Sequence, residues 1–445
     1  FRNPKSYRWS MLEPIQALWG LGMRRVAVVA GGISRFDLPR YENQEEMIAE
    51  AVREVLNDTP NLSMKDIDTM VASYFSDHFN QQLAQEWIVH DYLGLTPKPV
   101  FRIETGGATG GAAFRGAWSL VASGLSDICL VCGWEKMSEV ATAKANEFIA
   151  LASDTDFEFP VGGYYTGYYA AMAVRHMYLY GETEQDLAMI AVKNRNNGLD
   201  NPYSQWRSQY GKKITVEDVL DSRLIAWPLK VLDCCLISDG GAAVVLASEA
   251  KAKQITDTPI WVTGLGLGSD AMRPGDRPDN PGWRARNPEP ESVYPDYAKK
   301  PRQPYPEIAN FGACIEAAKQ AYRMAGVEAR DIDVAEIHDA YDSSELQTYE
   351  DLLFCKRGEG KLLIREGQTE IDGKVAVNPS GGLEGMGHPV GATGIAQIVE
   401  IFWQLRQEIS KKHGTSRVQV PNATIGLAHS HAGTGTTITV NIMSR

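Results

Sequence analysis

Nowhere in the chain do about 20 apolar residues run together, so no stretch reads as a membrane-spanning helix. Positive charge is also scarce, with 44 Lys and Arg against 56 Asp and Glu and a formal net charge of −12 at pH 7. Nonspecific nucleic-acid binding rests on clustered cations that neutralise phosphates, and this balance argues against it. An anionic ligand would need a local basic pocket working against that field. The six cysteines (Cys129, Cys132, Cys234, Cys235, Cys314, Cys355) fall mostly in apolar runs, at spacings that form no disulfide framework. A reducing cytoplasm is therefore the expected compartment. Cys129 and Cys132 form a CxxC inside ICLVCGW, but no second pair stands at zinc spacing, so buried strand positions are expected rather than a metal site. The first residues, FRNPKSYRWSMLEPIQALWGLGMRR, lack the apolar core and the cleavage pattern of a signal peptide.

What is present is a long globular chain, with 44% hydrophobic and 22% charged residues among 445. That length is too great for one ordinary core and suits two similar halves. A helical stripe of Met47, Ile48, Ala51, Val52 and Val55 leads through LSMKDIDTMVAS; far downstream, ACIEAAKQAYRMAGV leads through EARDIDVAEIHDAY. The two Asp-Ile-Asp triplets, at 66–68 and 331–333, follow their helices at matching distances and mark an internal duplication. This divides the chain into an N-terminal arm (1–23), a first half (24–257) and a second half (258–445). Two insertions interrupt it. From about 141 to 227 the sequence is aromatic and irregular, with Tyr164, Tyr165, Tyr168, Tyr169, Met172, His176 and Met177 at helical spacing, a stripe that fits a packed interface or a substrate surface. His176 is expected to be structural. Between 271 and 306 stand nine prolines, which predict an extended loop or covering arm.

Four constellations carry chemistry. In Ile103–Gly124 a short apolar run meets Gly106, Gly107, Gly110 and Gly111 before a helical pattern. Such a turn lets a helix pack tightly on its sheet; equally, its N–H groups can approach an anion or a developing oxyanion. His338, after the apolar run VAEI, stands at a strand end, where an imidazole can offer Nε2–H to a carbonyl oxygen. His388 sits at the mouth of a second glycine-rich approach to a helix, NPSGGLEGMGHPVGATG, where core packing explains it poorly. Finally, TIGLAHSHAGTGTTITV predicts two strands hinged over His429-Ser430-His431-Ala432-Gly433-Thr434-Gly435; with no Cys or carboxylate partner nearby, the two histidines are a weak metal site.

Together these pieces resemble the thiolase superfamily, in particular its sterol-carrier and archaeal-type branch, from Arg24 to the end. The resemblance is carried by GGAAFRGAWSLVASG with CGWEKMS, by SDGGAAVVL, HDAY and GGLEGMGHPVGATG, and by HSHAGTGTTITV. It implies a duplicated five-layer α/β fold (α-β-α-β-α), a homodimer, and an acyl-CoA substrate covered by a helical loop domain at about 141–227. Coenzyme A would enter only as part of the substrate, with no permanently bound cofactor and no metal. His388 would be the base, His338 would help hold the thioester oxygen, and Gly107, Gly110, Gly433, His429 and Ser430 would contribute oxyanion or substrate contacts. One departure matters most: the family turn reads like SACASGG, and Gly107 stands where its nucleophilic cysteine belongs. The second cysteine of many members is also absent, with HSHAG in its place.

Without an acyl-enzyme, the remaining parts suit cleavage next to the thioester through an enolate. The resemblance then points to thiolase-like aldolases acting on a bulky β-hydroxyacyl-CoA, with His388 the preferred base and Tyr341 or Tyr165 as alternatives. It also implies a small OB-fold and zinc-ribbon partner in a heterotetramer. Two other readings stand beside it: a Claisen-type β-ketoacyl-CoA thiolase or C-acyltransferase using Thr105, Thr109 or direct thiol attack, and a non-catalytic acyl-CoA-binding subunit.

Overall fold

The computed structural model describes residues 22–40, 42–277 and 308–445. Nearly all of the N-terminal arm and most of the proline-rich insertion lie outside the described residues.

In the first half, strand β1 (Val26–Ile33) is wholly buried and leads to helix α1 (Gln44–Asn57). A reciprocal cap starts the helix: the Asn43 side chain accepts the Glu46 N–H at 2.9 Å and Glu46 accepts the Asn43 N–H at 3.2 Å. Strands β2 (Thr69–Ser73) and β3 (Val100–Ile103) follow, then helix α2 (Thr109–Ser123), which Gly124 ends at φ +90°, then β4 (Ile128–Lys136). The insertion after β4 is more regular than its sequence promises. It holds helices over Thr142–Ala150, Gln205–Gln209 and Val216–Leu220, the longer α3 (Tyr165–Tyr180) and α4 (Glu184–Gly198), and a hairpin of β5 (Leu224–Ala226) and β6 (Leu229–Lys230). Polar caps such as Thr183 with Asp186 and Thr215 with Asp218 start helices that no long apolar period announces. The half closes on β7 (Asp239–Ser248), which begins after the vicinal cysteines rather than at them.

The second half repeats the scheme with β8 (Ile260–Ser269), α5 (Gly312–Ala325), β9 (Val334–Glu336), α6 (Asp342–Asp351), β10 (Ala376–Val377), α7 (Val390–Leu405), β11 (Ile425–Ala432) and β12 (Thr437–Ser444). The sheet order is β10-β9-β11-β12-β8-β1-β7-β4-β2-β3, the same five-strand order read outward from the β1·β8 seam in both directions. That seam is two residue pairs long, Ala27 with Trp261 and Val28 with Ile260. The twin triplets do the same work in each half. Asp68 accepts the N–H groups of Asp127 and Ile128 at the start of β4, and Asp333 accepts those of Thr424 and Ile425 at the start of β11.

Three apolar clusters separate the layers. One joins α1 to the first half-sheet, one joins α5 to the second, and a central one holds α2 and α7 between them, completing α-β-α-β-α. All sixteen residues of α7 are buried. Gly110 serves this layer: a Cβ there would lie 2.7 Å from the Gly394 α-carbon, so the two central helices cross backbone to backbone. The close crossing, rather than a ligand, accounts for that glycine. The predicted seven-residue hinge over His429–Gly435 also shortens. β11 runs through Ala432, pairing His429 with Val440 and His431 with Ile438, and only the tip beyond it turns. Among the described residues no helix is long and apolar enough to cross a membrane.

Candidate active site

The turn before α2 is fastened by Thr109, whose hydroxyl accepts the Thr105 N–H at 2.9 Å and donates to the Gly106 carbonyl. Thr109 is fully buried and its oxygen is engaged on both sides, which removes it as a stand-in nucleophile. The Thr105 hydroxyl is buried with no partner among the described residues, so no base activates it. Gly107 faces the end of β11. A Cβ there would stand closer than 3 Å to the His431 carbonyl oxygen and 3.4 Å from His338 Cε1. The strand backbone thus closes over the place where a side chain would project, and a cysteine enters only if β11 moves.

Around Gly107 the second half gathers four histidines. His338 lies just past β9, its ring centroid 5.0 Å from His388 and 4.4 Å from His431; the His429 and His431 centroids are 5.7 Å apart. His388 precedes Pro389 at the head of α7 and is held from two sides. Its N–H donates to Ser238 Oγ at 2.9 Å, and its Nδ1 lies 2.7 Å from Thr393 Oγ1. The single hydroxyl hydrogen of Thr393 goes to the Pro389 carbonyl at 3.0 Å, so Nδ1 must be the donor to Thr393 and Nε2 carries the lone pair. His429 Nδ1 accepts the His338 N–H at 3.3 Å, which puts its proton on Nε2. Burial holds His388 and His429 at about 3. For His338 and His431, burial and the neighbouring imidazoles press well below the usual histidine range. All four are neutral at physiological pH, the state from which a base can accept a proton.

Helix α3 brings tyrosines to the same place. The Tyr165 hydroxyl is buried without a partner among the described residues, and a Cβ on Gly433 (φ +56°) would lie 3.4 Å from it. Tyr341 packs against Tyr169 with tilted rings, centroids 4.5 Å apart, and its hydroxyl lies 2.8 Å from Thr166 Oγ1. Burial pushes both phenols, Tyr165 and Tyr341, up from their ordinary value, so both are protonated at neutral pH, a state unfavourable to the role of alternative base that the sequence offers.

The structure thus brings Gly107, His338, His388, His429, Tyr165, Tyr341 and Gly433 together and leaves two expected residues out. Gly110 packs at the helix crossing, and Ser430, on the opposite face of β11 from its histidine neighbours, donates to Gln397 at 2.7 Å in the central layer. In their place stands His431, which the sequence reading names only as one of a pair of histidines forming a weak metal site. Strand alternation pairs it with His429 on one face, but reading the motif as a hinge hides that signal. His176 is structural as expected, bonded by Glu182 and, at 3.2 Å, by Glu350. Among the described residues no group of three His, Cys, Asp or Glu side chains is placed to hold a metal ion.

Both halves of this architecture match described families: "Thiolase, N-terminal domain" over residues 26–250 and "Thiolase C-terminal domain-like" over residues 303–445. The chain belongs to the thiolase superfamily. Within it, the chain is 38% identical to an acetyl-CoA acetyltransferase of Methanothermobacter thermautotrophicus over 424 residues, covering 95% of this chain and 100% of that one. It is 31% identical to human sterol carrier protein 2, covering 94% of this chain and 72% of that protein. Among solved structures, the Ltp2–ChsH2(DUF35) aldolase superposes with a TM-score of 0.74 at 25% identity, over 94% of this chain and 98% of that one. As a thiolase-superfamily enzyme, the chain acts on acyl-CoA thioesters.

Proposed function

We propose that this enzyme cleaves the bond next to the thioester of a bulky β-hydroxyacyl-CoA by a retro-aldol reaction, without an acyl-enzyme. The observation that carries this reading is Gly107 with the His431 carbonyl closed over it: the nucleophile is absent, and so is the room for one. The 25% identity with an enzyme titled an aldolase agrees with it. In this scheme His338 and the Gly107 N–H hold the thioester oxygen. His388 Nε2 takes the β-hydroxyl proton as the Cα–Cβ bond breaks, and the bonding pair passes into a thioester enolate. A carbonyl compound leaves, and Cα is protonated by the His388 imidazolium or the Tyr165 phenol, giving the shortened acyl-CoA. Burial makes imidazolium costly at rest, and the enolate charge that develops beside it offsets that cost.

The tyrosines and tryptophans of the insertion support a large acyl group. Coenzyme A comes and goes with the substrate, and the assembly is read as a homodimer joined by a small OB-fold and zinc-ribbon partner; the Ltp2–ChsH2(DUF35) aldolase likewise carries a second component, ChsH2(DUF35), in its name. The names of the acetyltransferase relatives favour a second reading, Claisen chemistry on a β-ketoacyl-CoA. Mass spectrometry of the protein with β-hydroxyacyl-CoA, and separately with β-ketoacyl-CoA plus CoA, tests both. A carbonyl product and a shortened thioester from the hydroxy substrate, with unmodified protein, is the expected result. Turnover of the keto substrate alone would overturn it.

A further inference from the structure

Tyr169 lies on α3, belongs to the insertion and is buried. Its hydroxyl meets two groups from the β11–β12 hairpin, the Nε2 of His431 and the Gly433 carbonyl oxygen, the latter at 2.7 Å. A phenol has one hydrogen to give, and a carbonyl oxygen can only accept. The hydrogen therefore goes to Gly433, and at His431 the imidazole is the donor. This places the His431 proton on Nε2 and leaves Nδ1 a bare lone pair, buried and with no partner among the described residues. That ring packs against His338, whose own Nδ1 is likewise unpartnered there, and its carbonyl covers Gly107.

We propose that Tyr169 is a positioning residue that acts through His431: it holds the imidazole in one tautomer, so that the ring beside His338 offers a lone pair rather than a proton, and it ties down the hairpin tip that carries Gly433. Three of the four site histidines are then locked in known tautomers by Thr393, the His338 N–H and Tyr169. His338, with a free Nδ1, is the one left able to respond as charge develops. The same hairpin tip is gripped from the other side by buried Arg277, which donates to the Thr434 carbonyl at 2.8 Å and to its hydroxyl at 3.0 Å. Loss of the phenol hydroxyl therefore frees the imidazole while the tip keeps one anchor.

The role assigned to His338 rests on the enolate reading above, whereas the tautomer of His431 does not, and the experiment separates them. Nitrogen-15 spectra of histidine-labelled full-length protein, without substrate, are compared for the wild type, Tyr169→Phe and His431→Gln. Expected in the wild type is a neutral histidine with a protonated Nε2 and a bare Nδ1, unchanged between about pH 6 and 8. His431→Gln removes this signal and Tyr169→Phe converts it to a tautomer mixture. With whichever acyl-CoA the wild type turns over, Tyr169→Phe lowers kcat by about tenfold or more and shifts the pH profile, while KM changes by less than about twofold. Survival in Tyr169→Phe, unmixed, of the same Nε2–H signal that His431→Gln removes, or kcat and pH profile that stay as in the wild type, would overturn the proposal. Failure of the wild type to release a carbonyl product would sink the retro-aldol reading alone.

Discussion

Gly107 and Gly391 occupy matching places in the two halves of one fold, and only one of them has chemistry around it. Counted from the helix crossing of Gly110 with Gly394, the two glycines are equivalent. Counted from the twin aspartates and from the strand starts they cap, Ser73 matches His338 and Trp134 matches His431. The backbone follows the same rule at both crossings. A Cβ on Gly391 would stand closer than 3 Å to the carbonyl oxygens of Trp134 and Ser73, much as one on Gly107 would crowd that of His431. Only the side chains differ. At the first crossing Trp134 stacks on Tyr74 at 5.0 Å, and Glu135 accepts the Gly391 N–H at 3.0 Å together with those of Phe75 and Ser76. At the second, imidazoles replace the indole and the serine, and the residue matching Glu135 is Ala432, which has no acceptor to offer Gly107. The site is thus a packing junction from which the apolar filling and the internal carboxylate have been removed.

This comparison can be broken at several points. The largest effect is expected at His388, whose replacement by Ala removes the proposed base from the histidine crossing. Turnover should fall about 10²- to 10⁴-fold while acyl-CoA binding, followed by calorimetry, persists. At the structural crossing Gly391→Ala meets backbone on several sides and should cost about 3 kcal/mol in denaturant unfolding; Gly107→Ala, against a single carbonyl, should cost less, about 1–2 kcal/mol. Gly107→Cys should leave no acylated protein after incubation with acyl-CoA, because β11 stands in the way; a stable thioester adduct would undo the match between the two glycines.

A pH test lies outside both crossings. Burial alone would lower His176, but its hydrogen bonds to Glu182 and Glu350 win and raise it to about 9. A histidine raised in the folded state stabilises fully below its unfolded value of about 6.5, and that contribution is lost as pH climbs through 9, on the order of 2–3 kcal/mol. Unfolding followed from pH 6 to 10 should show this loss in the wild type and a flatter profile in His176→Gln. The smallest effect probes the duplication itself. Asp68→Ala and Asp333→Ala should each cost about 1 kcal/mol, and by similar amounts, since each removes the acceptor for two strand-entry N–H groups.

Much of the fold could be read from local pattern. The repeated triplets and the helical stripe from Met47 to Val55 each declare themselves within a few residues. His338 and His388 were also legible, because a strand end and a glycine-flanked helix mouth are poor places for an idle imidazole. What escaped depends on elements distant in sequence. Gly110 has its meaning only against Gly394, Ser430 only against Gln397, and His431 only once β11 is seen to continue through a segment whose glycines suggest a turn. The insertion escaped for another reason: its helices begin at polar caps and bury short, mixed faces, so no apolar period betrays them.

The burial of α7 has a consequence for how the molecule is made. His388 opens a helix with no outer surface, enclosed by strands from both halves, so the proposed base reaches its place only when residues separated by most of the chain have come together. During synthesis the first half emerges long before that helix does, and the part of its sheet that α7 covers, beside α2, stays exposed until the ribosome has passed residue 405. Contacts of such long sequence separation form slowly and leave apolar surface exposed meanwhile. Nascent chains cut off before α7 should therefore bind chaperones strongly, and catalytic competence should arrive abruptly, only after α7 has emerged.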